Sequence, residues 1–375
     1  MPPESDALLR IENLTRVFSS RRGLSSHNVV AVDRANLTLP ADQHEILTIA
    51  GESGSGKTTL ARMILGLVQP SAGRLLFKGR DVGRITGRGQ RAWFRRQVQP
   101  VFQDPFATFN PLRRIESYLY ETVGNYRVAP RRTADEPIER ALGAVGLTLR
   151  EVKGRYPSEL SGGQLQRISI ARALITDPSL LIADEPVSML DASLRMSIVN
   201  LFRELKARQS VVYITHDLAT AYYASDRVAI MLRGWIVELG PVHKVLGQPL
   251  HPYTQLLKKS VLEPDPRLKS SDRVSLAAAE DTTFLRIGCR FADRCPRVME
   301  ICRGVEPADI AVDGRTVKCH LYADGVVADR TERGSAHAVC GERVACLSER
   351  VERGVGPPDG DRDIQRIQQA ELSDA

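Results

Sequence analysis

The sequence predicts an α/β fold on a mostly parallel sheet, and three observations carry that prediction. Short apolar runs recur at 45–50 (EILTIA), 179–184 (SLLIAD), 210–216 (SVVYITH) and 227–232 (RVAIML). They are near-continuous and rich in β-branched residues, as strands covered on both faces are. Helical stretches, such as Leu194 to Arg208, lie between them, and this alternation is that of an α/β protein. A glycine-rich segment follows the first run at once, and Leu60, Met63, Ile64 and Leu67 then recur at helical spacing. Gly51 to Thr59 is therefore a loop between a buried strand and an amphipathic helix that ends near Gly66.

The 375 residues suggest two domains and a tail. With 42% hydrophobic and 26% charged residues, the composition is that of an ordinary globular protein rather than a fibrous or wholly disordered one. No apolar run approaches the length of a membrane span, and MPPESDALLR lacks the pattern of a secretory signal, so the chain is expected in the cytosol. The net charge is +7, but the last 52 residues hold 11 acidic and 7 basic side chains, leaving a basic body and an acidic tail. Arg80, Arg84, Arg88, Arg91, Arg95 and Arg96 form a dense basic patch. It is either a solvated face or a contact for nucleic acid or an anionic membrane.

The remaining segments follow from composition. Residues 104–160 are mostly polar and carry Pro105, Pro111, Pro130, Pro137 and Pro157. Helical pieces at Ile115–Val123 and Glu136–Val145 make this a helical insertion, about 104–158, between strands of the main sheet. Pro100 lies just before it and would remove one ladder hydrogen bond, so its strand is expected at an edge or bulged. The main domain spans 1–245. A loop-rich module follows over 246–322, and 323–375, with little periodicity, is a disordered acidic tail.

Gly51, Glu52, Ser53, Gly54, Ser55, Gly56, Lys57 and Thr58 make a full phosphate-loop pattern, continued by Thr59, with the right flanks: strand before, helix after. Glycines let successive backbone N–H groups point inward at phosphate oxygens, and the helix N-terminus adds its partial positive charge. Lys57 reaches the terminal phosphates and the Thr58 hydroxyl binds Mg²⁺. The strand LLIADE ends in Asp184, placed for the Mg²⁺ shell, and Glu185, placed to polarise a water. Ser161, Gly162, Gly163 and Gln164, in LSGGQ, open another helix and form a second anion-binding turn.

These motifs, in this order and at this spacing, resemble the ATP-binding cassette (ABC) ATPases, a P-loop NTPase family, over about residues 8–245. The resemblance implies further roles. Gln103 in VFQDP matches the family's Q-loop glutamine, near the Mg²⁺ and water site. Asp191 in SMLDAS matches its D-loop, and His216 in YITHD the histidine that touches the γ-phosphate. Phe18 in LTRVF falls near the aromatic residue that stacks on adenine, although a core aromatic is the other reading. HPYTQLLKKSVLEPDP at 251–266 looks like the C-terminal extension of the dipeptide, oligopeptide and nickel importers.

The resemblance implies the ATP-hydrolysing subunit of an importer of peptides or a related solute, bound to the cytoplasmic face of the membrane. Its partners would be a second, commonly different, cassette subunit, two permease subunits and an extracytoplasmic solute-binding protein, with no nucleic acid. LSGGQ would be supplied in trans to the partner's ATP. Oligosaccharide or nickel uptake, or a soluble ATPase acting on nucleic acid, are the alternatives.

All six cysteines lie at or after Cys289. Residues 288–320 resemble the subfamily's cysteine-bearing module, with 5, 6 and 16 residues separating Cys289, Cys295, Cys302 and Cys319. Soft thiolates in a cytosolic protein suggest iron–sulfur or zinc, and a [4Fe–4S] cluster is favoured because paired C-x₂-C spacing is missing. Reduced, packed thiols are the alternative. Cys340 and Cys346 match nothing in this module.

Overall fold

Apolar residues alternating through ALLRIENL draw the N-terminal segment into a long strand whose Leu9, Ile11 and Leu14 are buried. The computed structural model describes residues 7–22, 25–260 and 287–323. Its strands are β1 (Ala7–Arg22), β2 (Ser25–Pro40), β3 (Ile46–Ala50), β4 (Ala72–Phe77), β5 (Arg80–Asp81), β6 (Val98–Val101), β7 (Leu180–Asp184), β8 (Ser210–Thr215), β9 (Arg227–Leu232), β10 (Trp235–Pro241), β11 (Asp309–Val312) and β12 (Arg315–Lys318). A 4-stranded antiparallel sheet has the order β2-β1-β4-β5. The alternation in ALLRIENL and the run AVDRANLTL are the sequence signals of this layer.

The larger sheet has 8 strands in the order β11-β12-β10-β9-β3-β8-β7-β6. From β9 to β6 the pairs are parallel, as the buried apolar runs require. Pro100 lies in β6, the outermost strand, where one side of the backbone is unpaired and a missing N–H is tolerated. β10, β12 and β11 extend the sheet by antiparallel pairing.

Side chains alternate across this sheet and divide the core. Leu180 and Ile182 of β7 and Val212 and Ile214 of β8 face one side, with Leu60, Met63 and Ile64 of the helix Lys57–Ile64. Leu181, Ala183, Val211 and Tyr213 face the other, with Leu165 and Ile168 of the helix Gly162–Leu174 and Phe202 of the helix Ala192–Leu205. The expected insertion is helical, with helices Pro105–Thr108, Ile115–Asn125, Asp135–Ala144 and Leu149–Val152. Its Leu119, Ile138 and Leu142 join the second core, so it is packed onto the Gly162–Leu174 helix rather than held apart.

A third core joins Ala50, Trp235 and Leu246 to Tyr253 and Phe291. The sheet thus crosses the boundary expected at 245: Glu238 of β10 pairs with Val317 of β12. The described residues form one compact unit. The acidic tail from 324, with Cys340 and Cys346, and the stretch 261–286, with the end of the HPYT segment, lie outside the described residues.

Candidate active site

β3 delivers the chain into Gly51, whose φ is +154° and whose Cβ position would lie 2.1 Å from the Met231 carbonyl oxygen. At Gly56, with φ +103°, a Cβ would lie 2.2 Å from the Ala31 oxygen. Both positions therefore admit only glycine, for space as much as for backbone angle. The Ser55 carbonyl accepts the Gly234 N–H at 2.8 Å, fixing the loop to the β9–β10 turn. Lys57, Thr58 and Thr59 form the first turn of the helix Lys57–Ile64, so unpaired helix N–H groups point into the loop. Lys57 Nζ donates to the carbonyls of Gly51 (2.8 Å) and Glu52 (2.7 Å). Burial pulls the Lys57 pKa down, against the opposing charges of Glu185, Asp184 and Glu52. Ser53 and Gly54 are exposed at the loop's tip.

The parallel pair β7–β8 assembles the carboxylates and the imidazole. Asp184 ends β7 near the Thr58 side chain, which opposes the rise of its pKa. Burial, with the charge of Glu185 beside it, raises the Asp184 carboxyl above its ordinary range. Glu185 has a left-handed backbone, φ +46°, unusual for a residue with a Cβ. Its N–H donates to the Ile214 carbonyl at 2.9 Å, and this bond holds the turn. The turn directs the carboxylate to His216, which follows β8: Oε1 lies 3.1 Å from Nδ1. A carboxylate, an imidazole, a lysine and a hydroxyl–carboxylate pair thus converge at the C-terminal ends of neighbouring parallel strands.

Other expected residues stand elsewhere. Gln103 is exposed just beyond β6. Ser161 caps the helix Gly162–Leu174: its hydroxyl accepts the Gln164 N–H at 3.2 Å, and Gln164 Oε1 accepts the Ser161 N–H at 3.0 Å. Gly163 packs against Leu194. This helix lies on the opposite face of the large sheet from the helix Lys57–Ile64, so LSGGQ and the glycine-rich loop belong to different surfaces. Asp191 precedes the helix Ala192–Leu205. Phe18 is 40% exposed, with the Arg16 guanidinium 4.6 Å over its ring, so it is not a core aromatic. In the arginine patch, Arg80 stacks 4.4 Å over Trp93 and Arg84 pairs with Asp81 at 3.4 Å.

Cys289, Cys295, Cys302 and Cys319 share one small module, and the Cys289 N–H donates to the Cys302 carbonyl at 2.8 Å. Yet among the described residues no three or more His, Cys, Asp or Glu side chains are arranged to hold a metal ion. Burial pushes the thiols of Cys289, Cys295 and Cys319 up, Cys319 to about 12, and Cys289 and Cys295 pack against the third core.

Two residues that the motifs did not reveal touch the phosphate loop. The Glu52 N–H donates to the Tyr253 hydroxyl at 3.0 Å, and the Glu52 carboxylate is gripped by Arg294.

Strand order, phosphate loop, strand-end acids and a second glycine-rich helix start together define a nucleotide-hydrolysing α/β cassette. Comparison with known proteins is specific. The ABC transporter model matches residues 33–188, and that of the oligopeptide/dipeptide transporter C-terminal region matches 237–302. The chain is 39% identical over 330 residues to a probable peptide ABC transporter ATP-binding protein, y4tS, of Sinorhizobium fredii, covering 86% of this chain and 92% of that one. It is also 39% identical over 328 residues to the oligopeptide transport ATP-binding protein AppF of Bacillus subtilis, covering 85% and 98%. Among solved structures, the ADP- and Pi-bound dimeric cassette MJ0796 aligns with TM-score 0.53 and 26% identity over 62% of this chain and 98% of that one. CbiO1 of Clostridium perfringens aligns with TM-score 0.56 and 26% identity over 65% and 92%. The chain belongs to the ABC transporter ATP-binding proteins of the oligopeptide/dipeptide import family. It is an ATPase of the kind that hydrolyses ATP for transport. No helix among the described residues is long and apolar enough to cross a membrane.

Proposed function

We propose that this chain is the ATP-hydrolysing subunit of a peptide importer, and that Glu185 is its general base. The observation that carries the role is the 3.1 Å approach of Glu185 to His216 beside the lysine-bearing loop. Lys57 and the loop amides bind the triphosphate. Glu185 accepts the proton of the attacking water, and His216 orients that carboxylate and meets the γ-phosphate. Gln103 completes the site from the end of β6. Phe18 offers its exposed ring to the adenine.

Thr58 and Asp184, two hard oxygen donors placed near one another, suit Mg²⁺ and would hold it. Bound there, the ion neutralises charge developing on the phosphates. Because LSGGQ and the phosphate loop occupy opposite faces, Ser161, Gly162, Gly163 and Gln164 act on the ATP of a partner cassette, and Asp191 lies at the same junction. The relatives' names support peptide cargo, and the dimeric cassette MJ0796 supports the paired arrangement. Two permeases and an extracytoplasmic binding protein complete the assembly, with this chain peripheral at the cytoplasmic face.

For Cys289, Cys295, Cys302 and Cys319 we infer thiolate ligands of a [4Fe–4S] cluster, or of zinc; their gathering in one module supports this. Metal analysis of anaerobically purified protein decides it, and neither iron nor zinc leaves four packed thiols.

The test of the main reading is Glu185→Gln. This variant retains ATP affinity but loses turnover by about a hundredfold or more, since the amide cannot take the water's proton. Hydrolysis near the wild-type rate would remove Glu185 from the role.

A further inference from the structure

Tyr253 and Arg294 of the C-terminal module lie 201 and 242 residues beyond Glu52 in sequence, yet both reach it directly. Arg294 Nη2 donates to Glu52 Oε1 at 2.6 Å and Nη1 to Oε2 at 3.1 Å, a bidentate pair whose side chains are 16% and 26% exposed. Such a two-pronged, half-buried pair is stronger and more directional than a surface ion pair. The same residue is held through its backbone, where its N–H meets the Tyr253 hydroxyl at 3.0 Å.

Both grips come from a rigid support. Tyr253 is fully buried, with ring centroids 5.5 Å from Phe291 and 6.5 Å from His251. Phe291 belongs to the same short segment as Arg294, whose guanidinium lies 5.5 Å over its ring. Arg290, one residue earlier, anchors that segment to the cassette. It pairs with Asp33, donates to the Arg233 carbonyl and stacks 4.2 Å over Trp235.

The chemistry of Glu52 gives these contacts a purpose. A carboxylate inside a loop that binds a polyanion opposes the ligand and competes with it for Lys57. Lys57 Nζ is already bonded to the Glu52 carbonyl, so Glu52 and Lys57 move together. Arg294 neutralises the carboxylate and turns it away. Tyr253 fixes the first peptide of the loop.

We propose that Arg294 and Tyr253 are positioning residues of the nucleotide site, which makes the C-terminal module a working part of the phosphate loop. The proposal rests on the assignment of Gly51–Thr59 as that loop. Neither residue touches the reacting atoms; each acts through Glu52.

The test is equilibrium binding of a fluorescent ATP analogue to the full chain, with thermal melting as a check on folding. Lys57→Ala serves as the control for the site itself. Arg294→Gln is expected to weaken binding about tenfold, or about 1.4 kcal/mol. Adding Glu52→Gln to that variant removes the charge that Arg294 had neutralised and brings affinity back to within about threefold of wild type. Arg294→Lys, which keeps the charge but not the fork, falls between. Tyr253→Phe, which loses the hydroxyl that accepts the Glu52 N–H, weakens binding by about threefold to tenfold.

If Lys57→Ala binds the analogue like wild type, the phosphate-loop assignment fails. If Lys57→Ala loses binding but Arg294→Gln does not, the clamp is refuted while the site stands. If Arg294→Gln loses affinity and Glu52→Gln does not restore it, Arg294 merely supports the fold, and the proposal is again refuted.

Discussion

His251 makes acid stability a sensitive probe of the segment beneath the phosphate loop. Its ring is 1% exposed and packs against Phe291 and Tyr253. Nδ1 accepts the Tyr253 N–H at 3.0 Å, so the imidazole is held neutral. Burial pulls its pKa from 6.5 to about 4. Because the folded value is depressed, the unfolded chain binds the proton first as pH falls. The neutral imidazole costs nothing above about pH 6.5, and stability falls below that until the folded ring also protonates near pH 4. A gap of about 2.5 units corresponds to roughly 3 kcal/mol over the whole window, of which about 2 is lost between pH 7 and pH 5.

Glu238 and Arg315 stand in the same neighbourhood. The buried Glu238 carboxylate accepts the N–H groups of Leu250 and His251, and Arg315 lies 3.6 Å away. Burial raises the Glu238 pKa, so its contribution has the opposite sign and is lost as pH rises above 4.5. Comparison with His251→Asn therefore isolates the imidazole, since Asn keeps an acceptor near Nδ1 but does not titrate. Urea unfolding at about pH 7 and pH 5 should show a loss in the wild type about 2 kcal/mol larger than in the variant, whose cavity cost is the same at both pH values. Parallel losses in the two proteins would refute the argument. A smaller loss in the variant also predicts that acid weakens nucleotide binding through Tyr253.

Two further perturbations test the supports of the site. Gly51→Ala places a methyl 2.1 Å from the Met231 oxygen, and should abolish analogue binding or cost about 2–4 kcal/mol of stability by urea titration. Arg290→Ala strips the half-buried Asp33 of its main partner, leaving Arg34 and the Trp235 Nε1–H, and should lower stability by about 3 kcal/mol. A melting temperature within a degree of wild type would show that the module's anchor lies elsewhere.

The sequence by itself determined the chemistry-bearing parts of this protein. A phosphate loop is a local object, built from consecutive N–H groups, so GESGSGKT between an apolar run and a helical period is legible in one dimension. The same holds for LLIAD and VVYIT, whose burial on both faces leaves unbroken β-branched runs, for the helical insertion and for the edge position of β6. The antiparallel layer of β1, β2, β4 and β5 was less legible, because half-exposed strands mix polar and apolar residues and carry register irregularities.

Only the tertiary structure decided the long-range meetings. Glu185 and His216 are 31 residues apart and meet because β7 and β8 are neighbours. LSGGQ and the phosphate loop face opposite sides because successive side chains of β7 and β8 alternate between two cores. Arg294 and Glu52 meet across 242 residues, through a core of Tyr253 and Phe291 and a sheet extended by β12. No local period encodes such a pairing. Its energy comes from a salt bridge and aromatic packing that exist only once the chain has closed on itself.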